Sequence, residues 1–233
     1  MTPVISIGSL KTSGTTTLAL TLAAVAAAAD IPVVLIDTAR DKDLVAWARR
    51  PGRPAACTVE EADDEATIER LVRAARRRGD LAIIDCGDRA EAICAGARLA
   101  DRALIPVRFS PLSVCAAIVT DRMLAGDCGK GRRGRDRAFA ATAITTIPSR
   151  IARTIETMIT ESPTRRLDIG LVQRAAYEAP FLHGGTIFNL SEELAPGLDR
   201  ARAEAATLAY EVGLLGRAIA AVEAPLEAMR EAA

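Results

Sequence analysis

Residues Val4 to Ala29, VISIGSLKTSGTTTLALTLAAVAAAA, limit what this chain can fold into more than any other stretch. The β-branched run Val4, Ile5 and Ile7 predicts a short strand, the small and hydroxyl residues after it a loop, and the Ala/Leu run a helix. Strand, small-residue loop and helix is a layout in which backbone N–H groups and a helix N-terminus face an anion. The matching phosphate-loop pattern, G-x-x-x-x-G-K-[ST], starts near Gly8 or Ser9 and requires a lysine after Gly14. Thr15 stands there instead.

The remainder of the chain alternates in the same way. Val33-Val34-Leu35-Ile36-Asp37 and Leu81-Ala82-Ile83-Ile84-Asp85 read as fully buried strands, each ending in a carboxylate, and Ala103 to Val107 reads as another. Further strands are predicted over Phe139 to Ile147 and Leu167 to Val172. Between them lie helical stretches at Lys42 to Arg49, Glu60 to Arg78, Ala90 to Leu99, Val114 to Leu124 and Ile151 to Thr160. Tyr177 to Asn189, with Pro180, Gly184 and Gly185, reads as irregular, and the chain from Ser191 onward as helical to about Met229. Buried strands alternating with helices predict an α/β fold, a doubly wound, mostly parallel sheet in three α/β/α layers.

A length of 233 residues suits one such domain over 1–233, with C-terminal helices over 191–230. Lys and Arg together number 30, as do Asp and Glu, so only a local patch can attract nucleic acid. One such patch is Gly126 to Arg137, where Lys130, Arg132, Arg133, Arg135 and Arg137 sit among glycines. It reads either as a solvated surface loop or as a non-specific DNA contact that releases phosphate counterions. Arg73, Arg76, Arg77 and Arg78 follow Glu65 and Glu69 at helical spacing and read as a salt-bridged face. The five cysteines form no C-x-x-C pair, which fits reduced thiols, and the single His183 excludes zinc-finger spacing. No membrane span or signal peptide is predicted, and a cytoplasmic location is expected.

Four stretches in order resemble the ParA/MinD family of P-loop ATPases. Gly14-Thr15-Thr16-Thr17-Leu18-Ala19 stands against the family's Gly-Lys-Thr-Thr-x-Ala, and Val34 to Asp37 against the strand ending in Asp-x-Asp. Ala82 to Gly87 is similar to the Walker B strand. Ala100 to Val107, running on to Ser110-Pro111-Leu112, is similar to the family's Ala-Asp strand and Ser-Pro-Leu helix start. Within the family the chain is most similar to small relatives of conjugative and T-DNA transfer, on Leu44, Trp47 and Arg174 to Leu190.

The resemblance implies ATP and Mg²⁺ as cofactors, a homodimer, and a relaxosome or partition protein as partner. It implies nucleotide binding by Lys11, Thr12, Ser13, Gly14, Thr15, Thr16 and Thr17, and a metal held at Thr16, Asp37 and Asp85. The family's signature lysine falls at Leu10 in an ungapped reading and at Lys11 if the loop is one residue shorter, so Lys11 is the candidate catalytic residue. The water-activating carboxylate falls at Ala39. Losing the loop lysine and this carboxylate together weighs against efficient hydrolysis. Three functions stay open: a dimeric adapter on DNA or the relaxosome with a degenerate site, a working ATPase that uses Lys11, and a polar-localisation scaffold. The plainer readings also stay open, with Asp37 and Asp85 as strand-end caps and Thr15 to Thr17 as a helix cap.

Overall fold

The computed structural model describes residues 3–11, 13–126 and 136–215. The buried runs form a six-stranded, all-parallel sheet in the order β3-β2-β4-β1-β5-β6. Its strands are β1 (Val4–Gly8), β2 (Val33–Asp37), β3 (Cys57–Glu61), β4 (Leu81–Gly87), β5 (Arg102–Val107) and β6 (Asp136–Ala141). Parallel neighbours need crossover connections, and the helices between the strands supply them.

Successive strand residues face opposite sides, so each sheet face gathers its own core. Ile5, Ile7, Leu35 and Ile83 pack beneath α1 (Thr15–Ala28), α2 (Asp43–Ala48), α7 (Ala175–His183) and α8 (Leu198–Glu211). Val4, Val34, Ile36 and Ile84 pack on the other face under α3 (Glu65–Arg78), α4 (Ala90–Leu99), α5 (Pro111–Gly126) and α6 (Arg150–Thr160). The result is the three-layer α/β/α arrangement that the alternation predicts. α1 is buried over nearly its whole length, which fits its lack of a polar face. α4 lies close on the sheet, because a Cβ at Gly96 would come within 2.5 Å of the Cys86 sulfur.

The central elements fall where the periodicity places them, and the edges do not. Cys57–Glu61 is a strand, whereas the sequence predicts only a helix from Glu60. It pairs with β2 alone and carries a polar CTVEE sequence, so no apolar run marks it. The helix starts later, at Glu65, where the Asp64 side chain accepts from the Thr67 N–H at 2.8 Å. β6 ends at Ala141, short of Ile147, and the Leu167 to Val172 segment is no regular strand. It follows β6 through single bridges, Phe139 to Arg166 and Ile144 to Val172.

Ala175–His183 is helical where an irregular segment is predicted, with Pro180 inside it. The loop after it is tied to α2 by the Trp47 indole N–H, which donates to the Gly185 carbonyl at 2.8 Å. The helix predicted from Ser191 to about Met229 is shorter: turns occupy 192–197, α8 spans Leu198–Glu211 and closes in a turn at Gly213, and residues 216–233 lie outside the described residues. Among the described residues no helix is long and apolar enough to cross a membrane.

Candidate phosphate-binding site

The C-terminal ends of β1, β2 and β4 meet at one sheet edge, where Asp37 and Asp85 are direct partners in the strand register. In open α/β sheets this edge is where ligands bind. β1 runs out at Gly8, and the loop returns to Gly14, whose left-handed backbone (φ 82°) starts α1. Gly14 is the N-cap and no described side chain caps this helix, so the Thr15 to Thr17 run does not act as a cap cluster. The first-turn N–H groups have no acceptor within the helix and present its positive end to the sheet edge.

Asp85 is fully buried beneath this helix start. Its Oδ1 accepts from the Gly87 N–H at 3.1 Å, while Oδ2 has no hydrogen-bond partner among the described residues. Burial pushes its carboxyl up to about 6 and the nearby Asp37 adds to the rise, while the Thr16 and Thr15 hydroxyls and the Gly87 N–H oppose it. Asp37 is equally buried but differently employed. Its oxygens accept from the N–H groups of Ala39 (3.1 Å), Leu44 (3.0 Å) and Val45 (3.2 Å), which fastens β2 to the start of α2. Burial raises its pKa, against the pull of these N–H groups and of Lys42. Of the two carboxylates, only Asp85 has an oxygen without a hydrogen-bond partner among the described residues.

A cleft lies to one side of the loop, with Gly14, Thr17, Arg108, Thr142, Gln173 and Tyr177 in its wall. A second lies between the loop and the turns after β2 and β4, lined by Lys11, Thr15, Thr16, Arg40, Gly87 and Asp88. Ala39, Asp41 and Asp43 complete its wall. The head of α1 thus separates two recesses.

The predicted loop residues divide between them. Lys11 is exposed at the second cleft, whereas Leu10 is half-buried against the core under α5. The cation offered to this cleft by the loop is therefore Lys11. Thr15 and Thr16 face the same cleft and Thr17 the other, while Ser13 is buried and bonded to Ser113. Ala39 is confined, because a Cβ on Gly87 (φ 57°) would lie 3.1 Å from its own Cβ. Thr12 lies outside the described residues, as do Lys130, Arg132, Arg133 and Arg135. Arg137, at the end of that basic run, pairs with Asp121 at 3.0 Å. Among the described residues no group of three or more His, Cys, Asp or Glu is placed to hold a metal.

Sequence reasoning missed Arg40, Asp41 and Asp43. The polar run TARDKD directly after a buried strand was the available signal, since loops at the C-terminal ends of such strands carry function. Gln173 and Thr142 reach the site through the fold alone.

No protein-family model matches this sequence, and no curated protein matches it. Solved structures do. Apo McdA of Cyanothece is similar with a TM-score of 0.74 at 15% identity, over 90% of this chain and 100% of that one. The MinD cell division protein of Aquifex aeolicus gives 0.66 at 17% identity, over 88% and 96%. A putative plasmid partition protein of Borrelia burgdorferi bound to AMPPNP gives 0.63 at 12% identity, over 90% and 98%. The chain has the P-loop fold that McdA, MinD and the ParA ATPases share.

Proposed function

We propose that this protein is a ParA/MinD-type nucleotide switch whose loop binds a magnesium adenine nucleotide and hydrolyses it slowly. The observation that carries this reading is Asp85, a fully buried carboxylate with one oxygen unpartnered among the described residues, set beside the Thr16 hydroxyl at the head of α1. A group of that kind is costly to bury unless a cation completes it. Mg²⁺ suits a site with one carboxylate and one hydroxyl, because phosphate oxygens and water fill its remaining positions. When bound, the metal would offset the charge on Asp85 and on the phosphates. The α1 N-terminus, Lys11 and Arg40 would meet the phosphates, and the recess beside Thr17 and Tyr177 is open to the rest of the nucleotide.

Slow turnover follows from Thr15 and Ala39. Neither supplies charge, and a phosphate or oxyanion contact in such a site is worth roughly two to three decades in rate. The basic run Lys130, Arg132, Arg133 and Arg135 supports the further reading of a dimeric adapter on DNA, in partition or in conjugative transfer with a relaxosome protein. One observation favours a working ATPase as the second reading, namely that Lys11 lines the cleft with Thr15 and Thr16.

Single-turnover hydrolysis separates the two. The switch reading expects wild type near background and MgATP affinity in Lys11→Ala about tenfold weaker, because the variant cannot make the charge-assisted hydrogen bond to phosphate. Wild-type hydrolysis far above background that disappears in Lys11→Ala would instead establish the ATPase. The DNA arm is read by salt-dependent retention on duplex DNA. Neutralising Arg132, Arg133 and Arg135 is expected to weaken it sharply and to flatten its salt slope by about 2–3. Retention that persists unchanged in that variant rules the basic run out as the binding surface.

A further inference from the structure

Among the described residues, three hydrogen bonds from distant side chains fasten the phosphate loop to elements far away in sequence. The Leu10 N–H donates to Thr120 Oγ1 on α5 at 3.0 Å. Ser13 Oγ and Ser113 Oγ, also on α5, lie 2.8 Å apart, and Thr142 Oγ1 donates to the Ser13 carbonyl. All four hydroxyl residues are buried. Two of the hydroxyls are oriented by second partners. Thr120 donates its own proton to the Ala116 carbonyl at 2.8 Å, which leaves its lone pairs for Leu10, and Ser113 Oγ accepts from the Arg108 N–H at 2.9 Å. The Leu10 side chain packs against the core under the same helix.

These bonds act on a stretch with little restraint of its own. Between Leu10 and Gly14 the chain runs Lys11, Thr12, Ser13, with no proline and no secondary structure at the described positions. A loop that must be ordered when its ligand arrives loses affinity to that ordering, and one already held does not. We infer that Thr120, Ser113 and Thr142 are positioning residues that hold the loop in its ligand-ready shape before any ligand is present. The clamp belongs to the ligand-free chain; only the identity of the ligand rests on the nucleotide reading above.

Amide hydrogen exchange on the full-length, ligand-free protein tests it. Thr120→Val keeps the shape of the side chain and removes the acceptor. The Leu10 amide is expected to exchange about tenfold faster, the effect of removing one hydrogen bond. Amides in the middle of β1 and α5 should stay at the wild-type rate, and Thr120→Ser should restore protection. The same pair titrated with MgATP should show weaker binding in Thr120→Val and recovery in Thr120→Ser. If Thr120→Val does not fold, Ser113→Ala takes its place, with faster exchange expected at Ser13 and Gly14. Leu10 exchange unchanged in Thr120→Val, or unrestored by Thr120→Ser, overturns the clamp. A wild-type protein that binds no MgATP overturns the nucleotide reading instead, and the exchange result still decides the clamp.

Discussion

Replacing Asp85 by Asn is expected to stabilise the ligand-free protein at pH 7 and to remove its Mg²⁺-dependent affinity for nucleotide. The Asp85 carboxyl rises from 3.8 to about 6 on folding, chiefly through burial. A shift of that size corresponds to on the order of 2–3 kcal/mol held against the folded state once the group is charged. The sign follows from proton linkage. As pH rises, the unfolded chain releases this proton first, near 3.8, and the folded chain only near 6. Between those values the folded state binds more protons, so stability falls across the window and stays reduced above it. Asparagine has no charge to bury, and its carbonyl oxygen can still accept from the Gly87 N–H.

The difference in stability between Asp85→Asn and wild type should therefore be near zero below about pH 4, grow through about pH 6, and level off above it. In melting temperature it amounts to roughly 5–10 °C at pH 7 for a chain of this size. Denaturant titrations of both proteins across that pH range check it. A substitution that stabilises the protein while removing ligand affinity marks a residue kept for function, because such sites hold groups that the fold alone would not retain.

Asp37→Ala is expected to act in the opposite direction on stability. The substitution leaves the N–H groups of Ala39, Leu44 and Val45 without their acceptor. Each unmatched buried donor costs about 1–3 kcal/mol, and relief of a buried charge returns part of that. The net loss is expected to be about 3–4 kcal/mol, or roughly a 10 °C fall in melting temperature. Asp37→Asn keeps one carbonyl acceptor and should lose about half as much. Thermal unfolding of the three proteins under one buffer distinguishes this anchoring role from metal ligation. A buried carboxylate kept for metal ligation would raise the ligand-free stability on substitution, as Asp85→Asn is expected to, whereas loss of the anchor lowers it.

The two aspartates also show where sequence reading reaches its limit. Both end apolar strands of the same kind, VVLID and LAIID, and both belong at the functional edge of the sheet. Nothing in the string tells that Asp37 is held by backbone N–H groups seven and eight residues on, while an Asp85 oxygen has no partner among the described residues. The central strands were legible because runs buried on both faces leave little choice of element. Cys57–Glu61 was not, since an edge strand with a single neighbour can be polar. Helix α7 was hidden by Pro180 and the two glycines beyond it, although the buried Ala176, Tyr177 and Ala179 drive its formation. In the loop, spacing left Leu10 and Lys11 as alternatives. The fold places them differently, because Thr120, 110 residues away, and the core under α5 hold Leu10 inward while Lys11 lines the cleft.

The central claim is that Asp85 and the head of α1 form a retained magnesium nucleotide site. Thermal unfolding of wild type and Asp85→Asn at millimolar ATP, with and without Mg²⁺, tests it most directly. A rise in the wild-type melting temperature that requires both ATP and Mg²⁺, and that is absent in Asp85→Asn, is the predicted result. No shift in wild type, or an equal shift in Asp85→Asn, would contradict it.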